Sequence, residues 1–183
     1  MNKNQLVTYL ERIDAALHEE ALLYIYGSAA FILLDEPERT SLDIDVAAPY
    51  CQVNERVFRD AAASAGLPVN PEPDTTSDHI KWILSLRLCL PKPSPASDIV
   101  LWQGHNLTVK TGAVPALIAS KLIRYDSVDQ SDVQYLLSQR SIAFNDVAAA
   151  VRSLPPPFNQ DVAVLDNLEN LRNDMAIWIG SQT

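Results

Sequence analysis

The spacing of apolar residues along the chain follows a helical period in some segments and a strand period in others. Leu6, Leu10, Ile13 and Leu17 form one helical stripe, whereas residues 42–47 alternate acidic and aliphatic side chains as strands do. Over the whole chain, these two periods predict helices at 5–18, 29–34, 52–65, 114–125, 129–138, 145–153 and 161–179, and strands at 22–26, 42–47, 80–90, 98–102 and 106–110.

The order of these predicted elements indicates an α/β (α+β) fold with a mixed sheet flanked by helices and a helical C-terminal part. Every predicted strand lies before residue 112, and the chain from Val114 onward carries only helical patterns. We therefore expect a core over residues 1–112 and a helical region over residues 113–183.

Composition favours a globular protein that needs no disulfide bonds. Hydrophobic residues make up 48% of 183 positions, which is enough for a sizeable core. The two cysteines, Cys51 and Cys89, lie in apolar segments without metal-ligand spacing, so we expect free thiols. No apolar run approaches the roughly 18 residues of a membrane span, and residues 1–4 do not open a signal peptide. We therefore expect a cytoplasmic protein with no membrane partner.

The charge balance narrows the classes of partner. The formal net charge is −9 at pH 7, and such a field repels the phosphates of nucleic acid. Sequence-independent coating of DNA is therefore disfavoured. A metal-dependent enzyme that binds a nucleotide through cations remains compatible with this charge, as does a protein whose partner is basic.

The segment from Tyr24 to Val46 carries the candidate chemistry. A predicted strand ends at Gly27-Ser28, where the glycine would let a phosphate approach the backbone and the serine would offer a hydroxyl. We expect a helix to follow, and its N-terminus would favour negative charge. After a spacer, Asp43 and Asp45 would project from the same face of a strand. Because neighbouring carboxylates repel each other, a cation such as Mg²⁺ is expected between them.

This order of residues resembles the DNA polymerase β-type nucleotidyltransferase superfamily, in which Gly-Gly or Gly-Ser precedes Asp-x-Asp or Asp-x-Glu. The spacer of this chain is slightly longer than is usual there. The segment 39–45 and the later run 116–122, with Asp132 eleven residues after Lys121, are similar to the AbiEii-like toxins of type IV toxin–antitoxin systems. The resemblance implies a nucleotidyltransferase-type core.

The resemblance also implies an activity, which is transfer of an NMP from an NTP to an acceptor with two Mg²⁺ ions. Asp43 and Asp45 would bind the metal, and Gly27 and Ser28 would grip the phosphates. In the toxins a lysine and a downstream aspartate complete the site, which assigns catalytic roles to Lys121 and Asp132. The acceptor would be a cellular RNA or a protein, and an antitoxin protein would restrain the enzyme.

Two further residues have roles that the resemblance leaves open. A third carboxylate in the superfamily comes from a later strand, and Asp98 is the best positional candidate here, although it could simply cap a turn. Arg39 could meet a phosphate or anchor its own loop.

Structural interpretations compete with each functional one. Asp43 and Asp45 could form the solvated face of an edge strand, and Ser28 could be an ordinary helix N-cap. Lys121 could extend to solvent, and Arg124 could pair with Asp132 between helices. We also expect surface positions for His79 and His105, because both lie in predicted loops.

Three other functions remain as alternatives. The chain could be a non-catalytic descendant that keeps the fold as a binding or partner module. It could be a small-molecule transferase with an acidic acceptor pocket. A haloacid-dehalogenase-like phosphatase ranks lower, because polar residues 38–41 precede Asp43 and no later Asp-Asp pair follows.

Overall fold

A computed structural model describes the backbone of residues 1–180 and the side chains through residue 178. The helices are α1 (Lys3–Ala16), α2 (Gly27–Leu33), α3 (Glu55–Ser64), α4 (Val114–Lys121), α5 (Ser127–Gln139), α6 (Phe144–Arg152) and α7 (Val162–Gly180), and the strands are β1 (Ala21–Tyr26), β2 (Asp43–Ala47), β3 (His79–Ile83), β4 (Ile99–Gln103) and β5 (Leu107–Thr111). The predicted mixed α/β fold and its helical C-terminal part are confirmed.

The first helix starts and packs as its sequence predicts. Asn2 is the N-cap, and its side chain and that of Gln5 form a reciprocal capping box with the backbone. The predicted stripe of Leu6, Leu10 and Ile13 is buried along one side of α1. These side chains join the apolar face of the sheet and α3 in one core.

The five strands form one mixed sheet in the order β3-β2-β1-β5-β4. β1 is antiparallel to β2 and parallel to β5, and β2 is parallel to β3. β4 and β5, the strands predicted at 98–102 and 106–110, form an antiparallel hairpin. Because β2 lies between β1 and β3, interpreting Asp43 and Asp45 as the face of an edge strand is wrong.

Several element boundaries differ from the prediction, among them the end of the helix predicted over 114–125, which lies at Lys121, and two of the differences have a clear local cause. The apolar alternation over 80–90 predicts one long strand, but β3 ends at Ile83 and a turn of 3₁₀ helix follows at Ser85–Arg87. Leu84 and Leu86 are exposed there by 64% and 91%, so the alternation does not mark a buried strand. The helix predicted from residue 52 begins at Glu55, because the Asn54 side chain caps it.

Of the two histidines predicted at the surface, one is buried and the other is exposed. His79 is the first residue of β3 and is only 6% exposed, so the surface position predicted for it is wrong. A strand bond between the His79 amide and the Leu42 carbonyl holds it beside β2. His105 lies in the exposed turn of the β4–β5 hairpin, as predicted.

The chain divides into two compact units. One contains Met1–Leu88 with Pro95–Thr111, and the other contains Cys89–Ser94 with the chain from Gly112 onward. The whole sheet and helices α1–α3 belong to the first unit, and helices α4–α7 belong to the second. No helix within residues 1–180 is both long and apolar enough to cross a membrane.

Candidate functional site

The turn between β1 and α2 contacts a carboxylate of the neighbouring strand. Tyr26 is the register partner of Asp45, which brings the Asp45 side chain next to Gly27. Gly27 has φ of 66°, and a Cβ atom there would lie 2.5 Å from Asp45 Oδ2. Glycine is therefore needed both for the left-handed backbone and for the close approach of this carboxylate.

Asp43 lies on the same face of β2 as Asp45, one strand pleat away. The Ser41 hydroxyl lies 2.8 Å from the Asp43 carbonyl oxygen and 3.2 Å from Oδ1, while Oδ2 pairs with the Lys81 ammonium from β3. The Asp43 side chain is 22% exposed and that of Lys81 is 48% exposed. Solvent and ligands therefore have access to this pair.

Both carboxylates affect the pKa of Lys81. The hydrogen bond to Asp43 raises the pKa of Lys81, partial burial opposes this, and the negative charges of Asp43 and Asp45 add to the rise. The sequence interpretation missed Lys81. A signal was present, because His79 and Lys81 repeat on β3 the polar i, i+2 spacing of Asp43 and Asp45 on β2.

Ser28 is bound by an arginine instead of capping a helix. The helix α2 begins at Gly27 with Tyr26 as N-cap and no side-chain cap bond, so interpreting Ser28 as an N-cap is wrong. Arg39 Nη2 donates a hydrogen bond to Ser28 Oγ at 3.0 Å. Arg39 also pairs with Glu36 at 3.5 Å and lies 5.7 Å from the centre of the Phe31 ring.

The position of Arg39 fits both roles left open for it. It anchors its own loop through Glu36 and Phe31, and it also brings a guanidinium to the hydroxyl of Ser28. Helix α2 has only seven residues, so anion binding at this turn would depend on the Gly27 backbone, Ser28 and Arg39 more than on a helix dipole.

Asp98 is bound by a tyrosine of β1. The Tyr24 hydroxyl donates to Asp98 Oδ2 at 2.8 Å. Burial, followed by this hydrogen bond and the charge of Asp98, raises the pKa of Tyr24 to about 12. The role of Asp98 as a third metal ligand stays a prediction.

The oxygens of Asp43 and Asp45 are donors of the kind that a magnesium ion takes. Asp43 and Asp45 are the only acidic residues in the five strands, and residues 1–180 contain no group of three or more His, Cys, Asp or Glu side chains placed to hold a metal. Mg²⁺ commonly takes one or two protein carboxylates and completes its shell with water and substrate phosphates. The two carboxylates therefore fit a magnesium ion that arrives with a nucleotide.

A cavity of about 560 Å³ adjoins Asp43 on the β3 side. Its polar lining includes His79, Lys81 and Arg87, and its apolar lining includes Trp82. Because β2 lies between β1 and β3, the carboxylates separate this cavity from the Gly27 turn. A ligand in the cavity would thus approach the carboxylates from the side opposite the turn.

Lys121 and Asp132 contact each other inside the C-terminal unit. The Lys121 ammonium lies 2.5 Å from Asp132 Oδ2 and 3.2 Å from Asp129 Oδ1, and its side chain is only 11% exposed. Arg124 pairs with Asp129, at 2.9 Å and 3.1 Å, and with Asp126.

This arrangement corrects two expectations. The interpretation in which Lys121 extends to solvent is wrong, and so is the pairing of Arg124 with Asp132. The catalytic roles that the resemblance implies for Lys121 and Asp132 stay predictions. Comparisons of this chain with models of protein families, with curated proteins and with solved structures find no match.

Proposed function

We propose that this chain is a metal-dependent nucleotidyltransferase that moves an NMP from an NTP to an acceptor. One observation carries the proposal, which is the contact between the Asp45 carboxylate and the Gly27 backbone. The contact joins the two halves of the sequence motif, because a phosphate-binding turn and a metal-binding carboxylate are useful together only when they touch the same ligand.

Each residue of this site has a distinct task in the proposal. The Gly27 backbone and the Ser28 hydroxyl bind the triphosphate, and Arg39, which already reaches Ser28, adds positive charge. Asp43 and Asp45 hold the nucleotide's Mg²⁺. When bound, the ion neutralises the triphosphate and polarises the phosphorus that is attacked.

The proposed transfer forms one bond and breaks one bond. A bond forms between the acceptor oxygen and the α-phosphorus, and the bond from that phosphorus to the α–β bridging oxygen breaks. Pyrophosphate leaves with the bridging oxygen, and the acceptor hydroxyl releases its proton to water. The cavity beside Asp43 would hold the acceptor, because it opens on the side of the carboxylates away from the Gly27 turn.

The finer parts of the proposal depend on the sequence resemblance. It favours an RNA or protein acceptor and an antitoxin protein as partner. The net charge of −9 favours a protein acceptor over RNA, because RNA would meet a repulsive field.

Calorimetric titration of each NTP in the presence and absence of Mg²⁺ tests the proposal. We expect Mg²⁺-dependent binding by the wild type and none by Asp43→Ala/Asp45→Ala, which should still fold because the Asp43–Lys81 pair that it removes is partly exposed. Glu11→Ala/Asp60→Ala is the matched control, since it removes the same charge from exposed positions of the same unit. Labelled NTP with lysate then identifies the acceptor.

A non-catalytic binding module is the second candidate, and the Asp43–Lys81 pair favours it. A lysine that already neutralises the carboxylate would allow the site to persist without metal. Under this alternative, the folded wild type binds no NTP at any Mg²⁺ concentration, and the double variant behaves identically. That result would overturn the transferase proposal.

A further inference from the structure

The strand beside the candidate metal site carries a lysine at the position that pairs with Asp45. β2 and β3 are parallel, and their register pairs Asp43 with His79 and Asp45 with Lys81. Register partners lie on the same face of a sheet, so Lys81 faces the same side as both aspartates. The lysine is therefore built into this site by the backbone pairing.

The Lys81 side chain reaches across to the first aspartate. Its ammonium pairs with Asp43 Oδ2, while the Ser41 hydroxyl lies beside Oδ1. Both oxygens of Asp43 thus have partners from the protein, whereas Asp45 Oδ2 lies against the Gly27 backbone. The two carboxylates differ in what surrounds them, although they share one strand face.

The charges of the site explain why the pairing of Lys81 with Asp43 matters for metal binding. The Lys81 ammonium offsets one of the two negative charges of Asp43 and Asp45, and the Arg39 guanidinium contacts Ser28 beside the Gly27 turn, so the attraction that the aspartates offer to cations is reduced. The five strands carry no further acidic residue, and Asp98, directly before β4, accepts a hydrogen bond from the Tyr24 hydroxyl. One divalent ion can be balanced here by the aspartates and a triphosphate, whereas a second would meet the ammonium at close range.

We infer that Lys81 is the resident second cation of this site. Its ammonium stays beside Asp43 and takes the place of a second divalent ion, so the chain binds a single metal ion with its nucleotide. This inference deepens the proposed function and rests on it for its role in transfer. Lys81 acts as a positioning residue, because it holds and neutralises Asp43.

Manganese binding to the nucleotide-free protein tests the inference without any activity assay. Free Mn²⁺ is measured by electron paramagnetic resonance while each variant is titrated. We expect Lys81→Met to bind Mn²⁺ about tenfold more tightly than the wild type, because a competing positive charge has been removed. Lys81→Arg should behave as the wild type does, because it keeps the charge.

A charge-reversed variant makes the test sharper. Lys81→Glu would place a third carboxylate beside Asp43 and Asp45, so it should bind Mn²⁺ more tightly than Lys81→Met and bind a second ion. The added variant Lys81→Glu/Asp43→Asn should lose that second ion. Lys110→Met is the matched control, since Lys110 is the register partner of Tyr24 on β5, on the other side of β1 from β2.

Folding is verified separately for each variant. Lys81 is nearly half exposed, so its replacement should leave the circular dichroism spectrum unchanged. If Lys81→Glu is destabilised by repulsion among three carboxylates, Mn²⁺ should raise its melting temperature more than that of Lys110→Met. A Mn²⁺ response that is the same in all Lys81 variants overturns the inference.

The two proposals fail in different ways. If Lys81→Met leaves Mn²⁺ affinity unchanged while NTP binding still requires Asp43 and Asp45, the inference about Lys81 is wrong and the transferase proposal stands. If Lys81→Met gains Mn²⁺ affinity but no variant binds an NTP, the lysine occupies a cation site and the transferase proposal is wrong.

Discussion

Two clusters of lysine and aspartate in this protein look alike in sequence but differ in their surroundings. The Asp43–Lys81 pair lies on the sheet of the N-terminal unit, with side chains exposed by 22% and 48%. In the C-terminal unit, Lys121 and Asp132 have side chains exposed by only 11% and 0%. An exposed pair can exchange its partners for a ligand at little cost, whereas a buried pair cannot.

The buried cluster has the composition of a structural network. Lys121 is the last residue of α4, and Asp129 and Asp132 lie three positions apart on α5. Lys121 pairs with both of these carboxylates, and Arg124, whose side chain is 67% exposed, pairs with Asp129 and with Asp126 at the edge of the cluster. Burial therefore separates an ion pair that supports the fold from one that is open to a ligand.

The largest expected effect comes from breaking the buried cluster. Asp132→Asn removes a carboxylate that neutralises Lys121 in a buried setting, and we expect a loss of about 3 kcal/mol in the free energy of unfolding. Urea denaturation followed by circular dichroism measures it. Asp166→Asn, at an exposed position of α7, is the control and should be unchanged. A cost for Asp132→Asn equal to that of the control would contradict the structural role.

The next largest effect is expected from Gly27→Ala, which tests whether the Asp45 carboxylate is held in place against the Gly27 backbone. Gly27→Ala meets both a left-handed backbone and the Asp45 carboxylate, so we expect a loss of about 3 kcal/mol in the free energy of unfolding. Gly66→Ala is the matched control, because Gly66 has φ of 87° but nothing within 4 Å of a Cβ. It should lose only about 1 kcal/mol, the cost of backbone strain alone. Equal losses would show that Asp45 moves away freely.

Replacement of the exposed lysine should change stability much less. Lys81→Met is expected to alter the free energy of unfolding by less than about 1 kcal/mol, because solvent screens this pair. The difference from wild type should shrink further in 1 M salt, whereas the effect of Asp132→Asn should persist. The distinction between the two clusters would be wrong if Lys81→Met lost more free energy of unfolding than Asp132→Asn and if that loss did not depend on salt.

The smallest effect is expected from Asp14, a carboxylate that is bound by backbone amides. This effect on stability depends on pH instead of salt. Asp14 accepts backbone hydrogen bonds from His105, Asn106 and Leu107 at 3.0, 2.7 and 2.7 Å. Burial alone would raise the pKa of Asp14, but these bonds outweigh it, so the pKa lies below its ordinary value of 3.8.

The sign of this linkage follows from the direction of the shift. The folded pKa of Asp14 is below the unfolded one, so its stabilisation is complete above the unfolded pKa and is lost as pH falls through the folded pKa. We expect Asp14→Asn to flatten the acid decline in the free energy of unfolding below about pH 4. An unchanged acid limb would contradict the role of Asp14 in holding the β4–β5 hairpin.

Most elements of the fold could be predicted from periodicity, and the errors have physical causes. The stripe on α1 and the hairpin of β4 and β5 are local patterns, so they are readable without tertiary information. The segment after Ile83 was misassigned because Leu84 and Leu86 keep the alternation of a strand while lying exposed. Nothing in the local pattern shows which apolar residues have a partner to pack against.

The residues of the candidate site also fall into those that local sequence patterns identify and those that only the tertiary structure identifies. Gly27, Ser28, Asp43 and Asp45 stand out in sequence because turn chemistry and strand alternation are local properties. Lys81 shows only the polar i, i+2 spacing that it shares with His79, because its relation to Asp43 depends on which strands become neighbours. The partner of Asp132 was misassigned for a similar reason, since the path of the chain between α4 and α5 decides whether Lys121 or Arg124 reaches it.

The sequence alone determined which residues can act as acids, cations and flexible turns, and the period that makes each segment a helix or a strand. Only the tertiary structure decided that β2 lies inside the sheet, that Asp45 lies against Gly27, and that a lysine from β3 meets Asp43. The reason is that strand order and register bring together residues distant in the chain, and burial then determines whether a charged group stays available to a ligand.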